Sequence, residues 1–153
     1  MKSINLKQFV AESNRIENIH EIRPGEIEAH KHFLNLKTLT VKDVEELVFK
    51  LQPGAFLRER VGQDVIVGDY RPPPGGEKIR IELEELLIDI NENANPWHSH
   101  IRYENLHPFM DGNGRSGRAI WLWQIIRNYE QLPVYNFLQY FYYQTLNNSQ
   151  TRR

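Results

Sequence analysis

Cysteine is missing from the 153-residue chain. That absence excludes a disulfide framework, a thiol nucleophile and any thiolate zinc site, and it permits a reducing compartment. An excess of one charge is missing too: 19 Lys and Arg stand against 20 Asp and Glu, a net charge of -1. No global basic field recruits nucleic acid or an anionic membrane. Long apolar runs are also lacking. Met1 to Val10 has no hydrophobic stretch of the kind that marks a secretory signal. Ala119 to Ile126, the most apolar later segment, is interrupted by Gln124 and falls far short of a membrane span. Internal repeats and low-complexity tracts are absent, and the nearest thing to a linker, Arg71-Pro72-Pro73-Pro74-Gly75-Gly76, reads as a surface loop. The expectation is one soluble, cytoplasmic domain over residues 1–153, with neither nucleic acid nor membrane among its partners.

What is present is mostly helical. A composition 40% hydrophobic and 25% charged is that of a globular protein, and the length buries a core without staples. Leu6, Phe9, Val10, Ser13, Ile16, Glu17 and His20 fall at spacings of three and four, one face of a helix. Pro24 stops that helix or opens the next, which carries Ile27, His30, Phe33, Leu34 and Leu36. Thr40 with Asp43 forms a capping box with a short acid, opening a helix through Val44, Leu47, Val48 and Leu51 that Pro53-Gly54 closes. Asp64 to Tyr70 is β-rich and suits a short exposed strand or hairpin. The helical period returns from Ile79 to about Asn93. Pro96 suits the first turn of a helix to about Leu106, another covers about Asn113 to Tyr129 with Ala119, Leu122 and Ile126 on one stripe, and an aromatic helix spans Tyr135 to Leu146. The fold class is all-α with one small β element.

The chemistry lies in the break His107-Pro108-Phe109-Met110-Asp111-Gly112-Asn113-Gly114-Arg115-Ser116-Gly117-Arg118. Gly112 and Gly114 let backbone N–H groups approach a ligand closely, and those amides run into a helix N-terminus, which favours phosphate. Arg115 and Arg118 in the first turns oppose the helix macrodipole, a placement that makes sense when an anion sits between them and the amides. Asp111 beside phosphates is suited to Mg²⁺, and His107 to general-base work near neutral pH. Gly112-x-Gly114-x-x-Gly117 also matches a dinucleotide fingerprint, but no β-strand precedes it. From spacing alone, the remaining alternative is a helix-helix turn with a capping Asp and incidental arginines.

This string resembles the signature of the Fic family, His-Pro-Phe-x-Asp/Glu-Gly-Asn-Gly-Arg-x-x-Arg, with every fixed position filled. Pro53-Gly54-Ala55-Phe56-Leu57-Arg58 is similar to the stretch ahead of that family's flap, and Val65-Ile66-Val67-Gly68 with Pro72-Pro73-Pro74 resembles the flap itself. The likeness covers about Ser13 to Tyr143. It implies a compact Fic-type helical bundle with a β-hairpin flap at about 62–76 and a catalytic loop and helix start at 107–118. The implied activity is transfer of AMP from ATP to a Ser, Thr or Tyr hydroxyl of a target protein. His107 would deprotonate that hydroxyl, and Asp111 would hold the Mg²⁺. Gly112, Asn113 and Gly114, together with Ser116 and Gly117, would form the nucleotide-binding loop, and Arg115 and Arg118 would bind the β- and γ-phosphates. Val65, Ile66, Val67 and Gly68 would border the nucleotide and clamp the target by strand addition. Tyr142 and Tyr143 resemble the tyrosines flanking the adenosine, although Gln150 replaces an asparagine that often follows. Phe109 reads as a buried anchor of the loop.

Ser13-Asn14-Arg15-Ile16-Glu17-Asn18 resembles the family's inhibitory motif, Ser/Thr-x-x-x-Glu-Gly/Asn, which implies an inhibitory helix at about 8–20. Ser13 and Glu17 are one turn apart on the flank of an apolar face, where a carboxylate is costly unless paired, ideally with an arginine. By resemblance Glu17 would pair with Arg118 and displace the γ-phosphate. The plain alternative is a boundary glutamate that fits a loose pattern. Other functions in view are de-adenylylation through Glu17, transfer of a different phosphate-containing group, and a nucleotide-sensing module. His98 and His100, two apart, cannot face one ion together. His20, His30 and His32 lack ligand spacing as well, so all five read as surface or packing residues. Trp97, Trp121 and Trp123 read as core residues, with a homo-oligomer as the alternative that their exposure would support.

Overall fold

The computed structural model of the chain describes residues 5–128. Within them lie six helices: α1 (Leu6–Ile16), α2 (Glu26–Leu34), α3 (Val41–Leu51), α4 (Glu77–Asn91), α5 (Pro96–Leu106) and α6 (Asn113–Asn128). The fold is all-α, as the periodicity implies. The aromatic segment Tyr135 to Leu146, Tyr129, and with them Tyr142, Tyr143 and Gln150, lie outside the described residues. No described helix is long and apolar enough to cross a membrane.

Local signals account for most boundaries. Both halves of the Thr40–Asp43 capping box form, the Thr40 amide donating to Asp43 Oδ2 at 2.9 Å and the Asp43 amide to Thr40 Oγ1 at 3.3 Å. Pro96 occupies the first turn of α5, and the Asn95 side chain accepts from the Trp97 and His98 amides. Helix α1 ends earlier than the three-and-four spacing from Leu6 to His20 implies. Asn18 takes the left-handed conformation at φ 60°, the Ile19 amide donates to Asn14 O at 2.9 Å, and the Asn18 amide donates to Arg15 O at 2.9 Å. This Schellman closure makes Glu17 the C-cap residue and puts His20 beyond the helix.

Helix α6 is the central element, buried from Arg115 to Ile125. It carries no single apolar stripe, because it is covered on all sides. Trp123 joins the main core with Val48, Leu83, Leu86 and Ile120, whereas Trp121 joins a second cluster with Phe9 and Val10 of α1. Both of these tryptophans are buried, and Trp97 packs on Trp121 with ring centroids 5.3 Å apart.

The flap is reduced to a tight turn. Val67 and Tyr70 exchange two backbone hydrogen bonds of 2.9 Å around Gly68-Asp69, with Gly68 at φ 59°. A positive φ at the first central residue is the type II′ pattern. The hairpin expected over about 62–76 extends no further, because Pro72, Pro73 and Pro74 have no N–H to donate to a ladder. The Tyr70 hydroxyl pins the turn to α5 by donating to Asn105 O at 2.8 Å.

Arg58 joins these parts. Its side chain is fully buried, and it donates to four carbonyls: His107 O from Nε at 2.7 Å, Leu106 O from Nη2 at 2.9 Å, and Gln63 O and Pro73 O from Nη1 at 3.0 and 2.9 Å. Two of these carbonyls belong to the end of α5, where a cation also meets the negative end of the helix dipole. Replacing Arg58 by Met strands all four acceptors, and we expect a loss of about 3 kcal/mol or more by urea denaturation. Arg58→Lys should recover only a minor part, since one ammonium cannot span the fork.

Candidate active site

The loop from α5 to α6 is fixed before any ligand is considered. Helix α5 ends at His107, which adopts the left-handed conformation at φ 50° while Arg58 holds its carbonyl. Phe109 is buried in the main core, as an anchor should be. The Asn113 side chain clamps it twice, Oδ1 accepting from the Phe109 amide at 2.9 Å and Nδ2 donating to the Phe109 carbonyl at 2.8 Å. A short antiparallel pairing adds to this: the Arg58 amide donates to Pro108 O at 2.8 Å and the Met110 amide to Phe56 O at 2.9 Å. The Gly112 amide donates to Asp111 Oδ1 at 2.8 Å, which holds that carboxylate at the rim.

His107 Nδ1 lies 3.3 Å from the Glu104 carbonyl. A carbonyl only accepts, so Nδ1 carries the proton and Nε2 keeps the lone pair. Burial is the main influence on this imidazole and pulls its pKa below the ordinary 6.5; the hydrogen bond to Glu104 opposes that, Arg58 reinforces it, and Glu17 and Asp111 oppose it. The neutral, basic form is therefore the one favoured near pH 7.

The two arginines in the first turns of α6, Arg115 and Arg118, are both buried, and both are held by other elements. Arg118 Nη2 donates to Glu17 Oε1 at 2.8 Å and to Ser13 O at 2.9 Å, and its Nε donates to Ser13 Oγ at 2.8 Å. Arg115 Nη2 donates to Gln52 Oε1 at 2.9 Å, and Nη1 pairs with Glu26 Oε1 at 3.4 Å. Burial lowers the Arg115 pKa, with Glu26 the first opposing influence. The Glu17 carboxylate also rests on the loop itself. A Cβ placed on Gly114 would overlap Glu17 Oε1 and come within 3.2 Å of Arg118 Nη1. The absence of a side chain at Gly114 therefore lets an anionic oxygen reach the start of α6.

A polar cavity of about 240 Å³ is lined by Glu17, Ile19, Gln52, His107, Met110, Asp111, Gly112, Asn113, Gly114 and Arg115. It brings the His107 imidazole, the Asp111 carboxylate, the glycine loop and the first arginine together, with Ser13 and Arg118 directly behind Glu17. Asn18 supplies the left-handed turn after Glu17. Two residues expected in the nucleotide-binding loop face elsewhere. Ser116 Oγ is buried against the Gly112 carbonyl and the Tyr103 hydroxyl, each at 2.7 Å. Gly117 faces α5, where a Cβ would overlap Glu104 Oε1 and lie 2.9 Å from Tyr103 Cδ1. Both serve the α5–α6 packing. Val65, Ile66, Val67 and Gly68 do not line the cavity. A larger groove of about 660 Å³ between α3 and residues 55–63 contains none of the motif's polar groups.

Sequence reasoning passed over Gln52 and Glu26. Gln52 directly precedes the Pro53-Gly54 stop, which places it at the end of α3, but only packing turns it towards Arg115. Among the described residues no group of three or more His, Asp or Glu could hold a metal by itself. A single carboxylate at a phosphate loop nonetheless suits Mg²⁺, which usually keeps water and takes its remaining ligands from the phosphates. His30 and His100 are buried packing residues, and His20, His32 and His98 are exposed.

A model of the Fic/DOC family matches residues 27–125, a span that holds His107 and the whole loop and begins after α1 and Glu26.

Three outcomes follow from this geometry. In an NMR titration the His107 ring should titrate below 6.5, and His100, which burial pushes down to about 3, should titrate far below it. Because both folded values lie below the unfolded one, the stability these rings supply is complete above pH 6.5 and is lost as pH falls through the folded values. Gly117→Ala should cost about 1–3 kcal/mol in urea denaturation by forcing α5 off α6.

Proposed function

The chain belongs to the Fic/DOC family, and on that premise we propose that it is an autoinhibited adenylyltransferase that moves AMP from ATP onto a side-chain hydroxyl of a target protein. Members of this family are typically transferases that move phosphate-containing groups such as AMP to proteins, and they generally use nucleotide substrates and metal ions. The observation that carries the finer reading is the Glu17 carboxylate, seated on Gly114 and bonded to Arg118 beside a neutral His107. An oxyanion of the protein already fills the place where a phosphate oxygen would sit.

In this reading His107 Nε2 accepts the proton of the target hydroxyl. The hydroxyl oxygen bonds to the α-phosphorus of ATP, the bridging bond to the β-phosphate breaks, and pyrophosphate leaves with the electron pair. The amides at the start of α6 receive the phosphates, where the helix dipole favours negative charge. Asp111 would hold Mg²⁺, which when bound offsets phosphate charge. Arg118 takes the γ-phosphate only when Glu17 has left it, which gives α1 its inhibitory role. The target docks on the flap by strand addition. Supporting this, the main-chain groups of Val65 and Ile66 make no hydrogen bond to the described residues, and Ile66 is 63% exposed.

De-adenylylation is the second reading, and it is favoured by Glu17 sharing one cavity with His107, where a carboxylate can direct water onto a phosphodiester. A nucleotide-sensing module has no use for the base that burial keeps neutral.

The test is incubation of wild type, Glu17→Gly and Glu17→Gly/His107→Ala with α-³²P-ATP, Mg²⁺ and a bacterial lysate. Label is expected on protein with the single variant, weakly or not at all with wild type, and lower by about 10²-fold or more without the base. Transfer from γ-labelled but not α-labelled ATP would overturn the choice of AMP. AMP release from a pre-modified target by wild type would establish the second reading.

A further inference from the structure

Glu26 has no role in the reading above, yet it is among the most enclosed carboxylates of the fold, 2% exposed. It is the first residue of α2, at a helix N-terminus that favours its charge. Its two oxygens are divided between two tasks. Oε2 accepts from the Asn14 side chain at 2.9 Å and from the Arg23 amide at 3.1 Å. Oε1 faces Arg115 Nη1 at 3.4 Å and Arg23 Nε at 3.8 Å. Arg115 therefore has one end of its fork on Glu26 and the other on Gln52.

The two arginines of the motif are consequently held in different ways. The partner of Arg118 is Glu17, 41% exposed, at the end of α1. The partner of Arg115 is a buried carboxylate on a different helix, whose remaining oxygen is fixed by a side chain and a main-chain amide. An isolated buried guanidinium is costly to desolvate and has many rotamers to lose, so a fixed counter-charge sets where it points.

We propose that Glu26 is the positioning residue for Arg115. It holds that guanidinium at the rim of the phosphate loop whether or not Glu17 occupies Arg118, so Arg115 is preorganised for nucleotide phosphates while Arg118 is the gated one. The proposal rests on the nucleotide-binding part of the function above and goes beyond it in assigning a buried positioning partner to one arginine.

The test is a double-mutant cycle in the full chain carrying Glu17→Gly. Binding of ATP·Mg²⁺ is measured by calorimetry for Glu26→Gln, for Arg115→Ala and for the two together, with folding of each checked by circular dichroism and urea denaturation. Each single change is expected to weaken ATP about tenfold, and the double variant should be no weaker than Arg115→Ala alone. AMP binding, which lacks the β- and γ-phosphates, should change less than twofold in all three. Independent, multiplying losses, or a Glu26→Gln variant that folds and binds ATP like its parent, would overturn the assignment. If the Glu17→Gly parent itself binds no ATP, the function proposed above fails instead. Glu26→Asp, which keeps the charge but shortens the reach, should recover part of the affinity.

Discussion

A full positive charge sits at Arg58 in a place closed to water, and it has four main-chain carbonyls for company rather than a carboxylate in contact. The arrangement is self-enforcing. The guanidinium needs acceptors to offset its lost hydration, and the carbonyls at the end of α5 and in the irregular 63–73 segment need donors that no regular ladder supplies. One side chain answers both needs. It fixes the left-handed exit of the chain at His107, and so the direction of the imidazole, and it keeps a proline-rich flap folded against the bundle. The same residue's amide pairs with Pro108, so main chain and side chain hold the α5–α6 loop from two directions.

Beyond that anchor, the site is organised by charge balance. Two buried cations near the N-terminus of α6 repel each other and oppose the helix dipole. Each is offset from a different helix: Arg118 by Ser13 and Glu17 of α1, and Arg115 by Glu26 of α2 with Gln52 at the end of α3. The oxygen that Glu17 presents to Arg118 also lies over Gly114, so the same carboxylate neutralises a cation and covers the loop. The apolar footing of α1 is correspondingly small. Phe9 and Val10 pack with Trp121, Leu122 and Ile125 in a cluster separate from the main core.

The behaviour of the motif residues shows why a linear string is a partial guide. Gly114, Arg115 and Arg118 fall on the side of α6 that meets α1 and α2, while Ser116 and Gly117, a fraction of a turn away, meet α5. All belong to one signature, yet some face the polar cavity or its Glu17 cover and others allow two helices to approach. The Asn that ends Ser13-Asn14-Arg15-Ile16-Glu17-Asn18 likewise supplies a left-handed residue that stops α1, so that Glu17 lies at the helix end and not within it.

What the sequence determined by itself is what short-range physics controls. The all-α class, the Thr40–Asp43 cap, the Pro96 start and the glycine-bearing loop between two helices depend on neighbours a few residues apart, and each was legible from spacing. The partnership of Glu17 with Arg118 was legible only through resemblance, because residues 101 apart share no local signal. Tertiary structure alone decided that Glu26 meets Arg115, that Gln52 turns inward and that Arg58 spans the end of α5 and the flap. The flap's loss of ladder also belongs here, since the prolines forbid pairing but only packing supplies Arg58 and Tyr70 in its place. The physical reason is common to all of these. A buried charge or carbonyl takes whichever partner the packed helices bring within about 3 Å, and which helices meet is a property of the whole core.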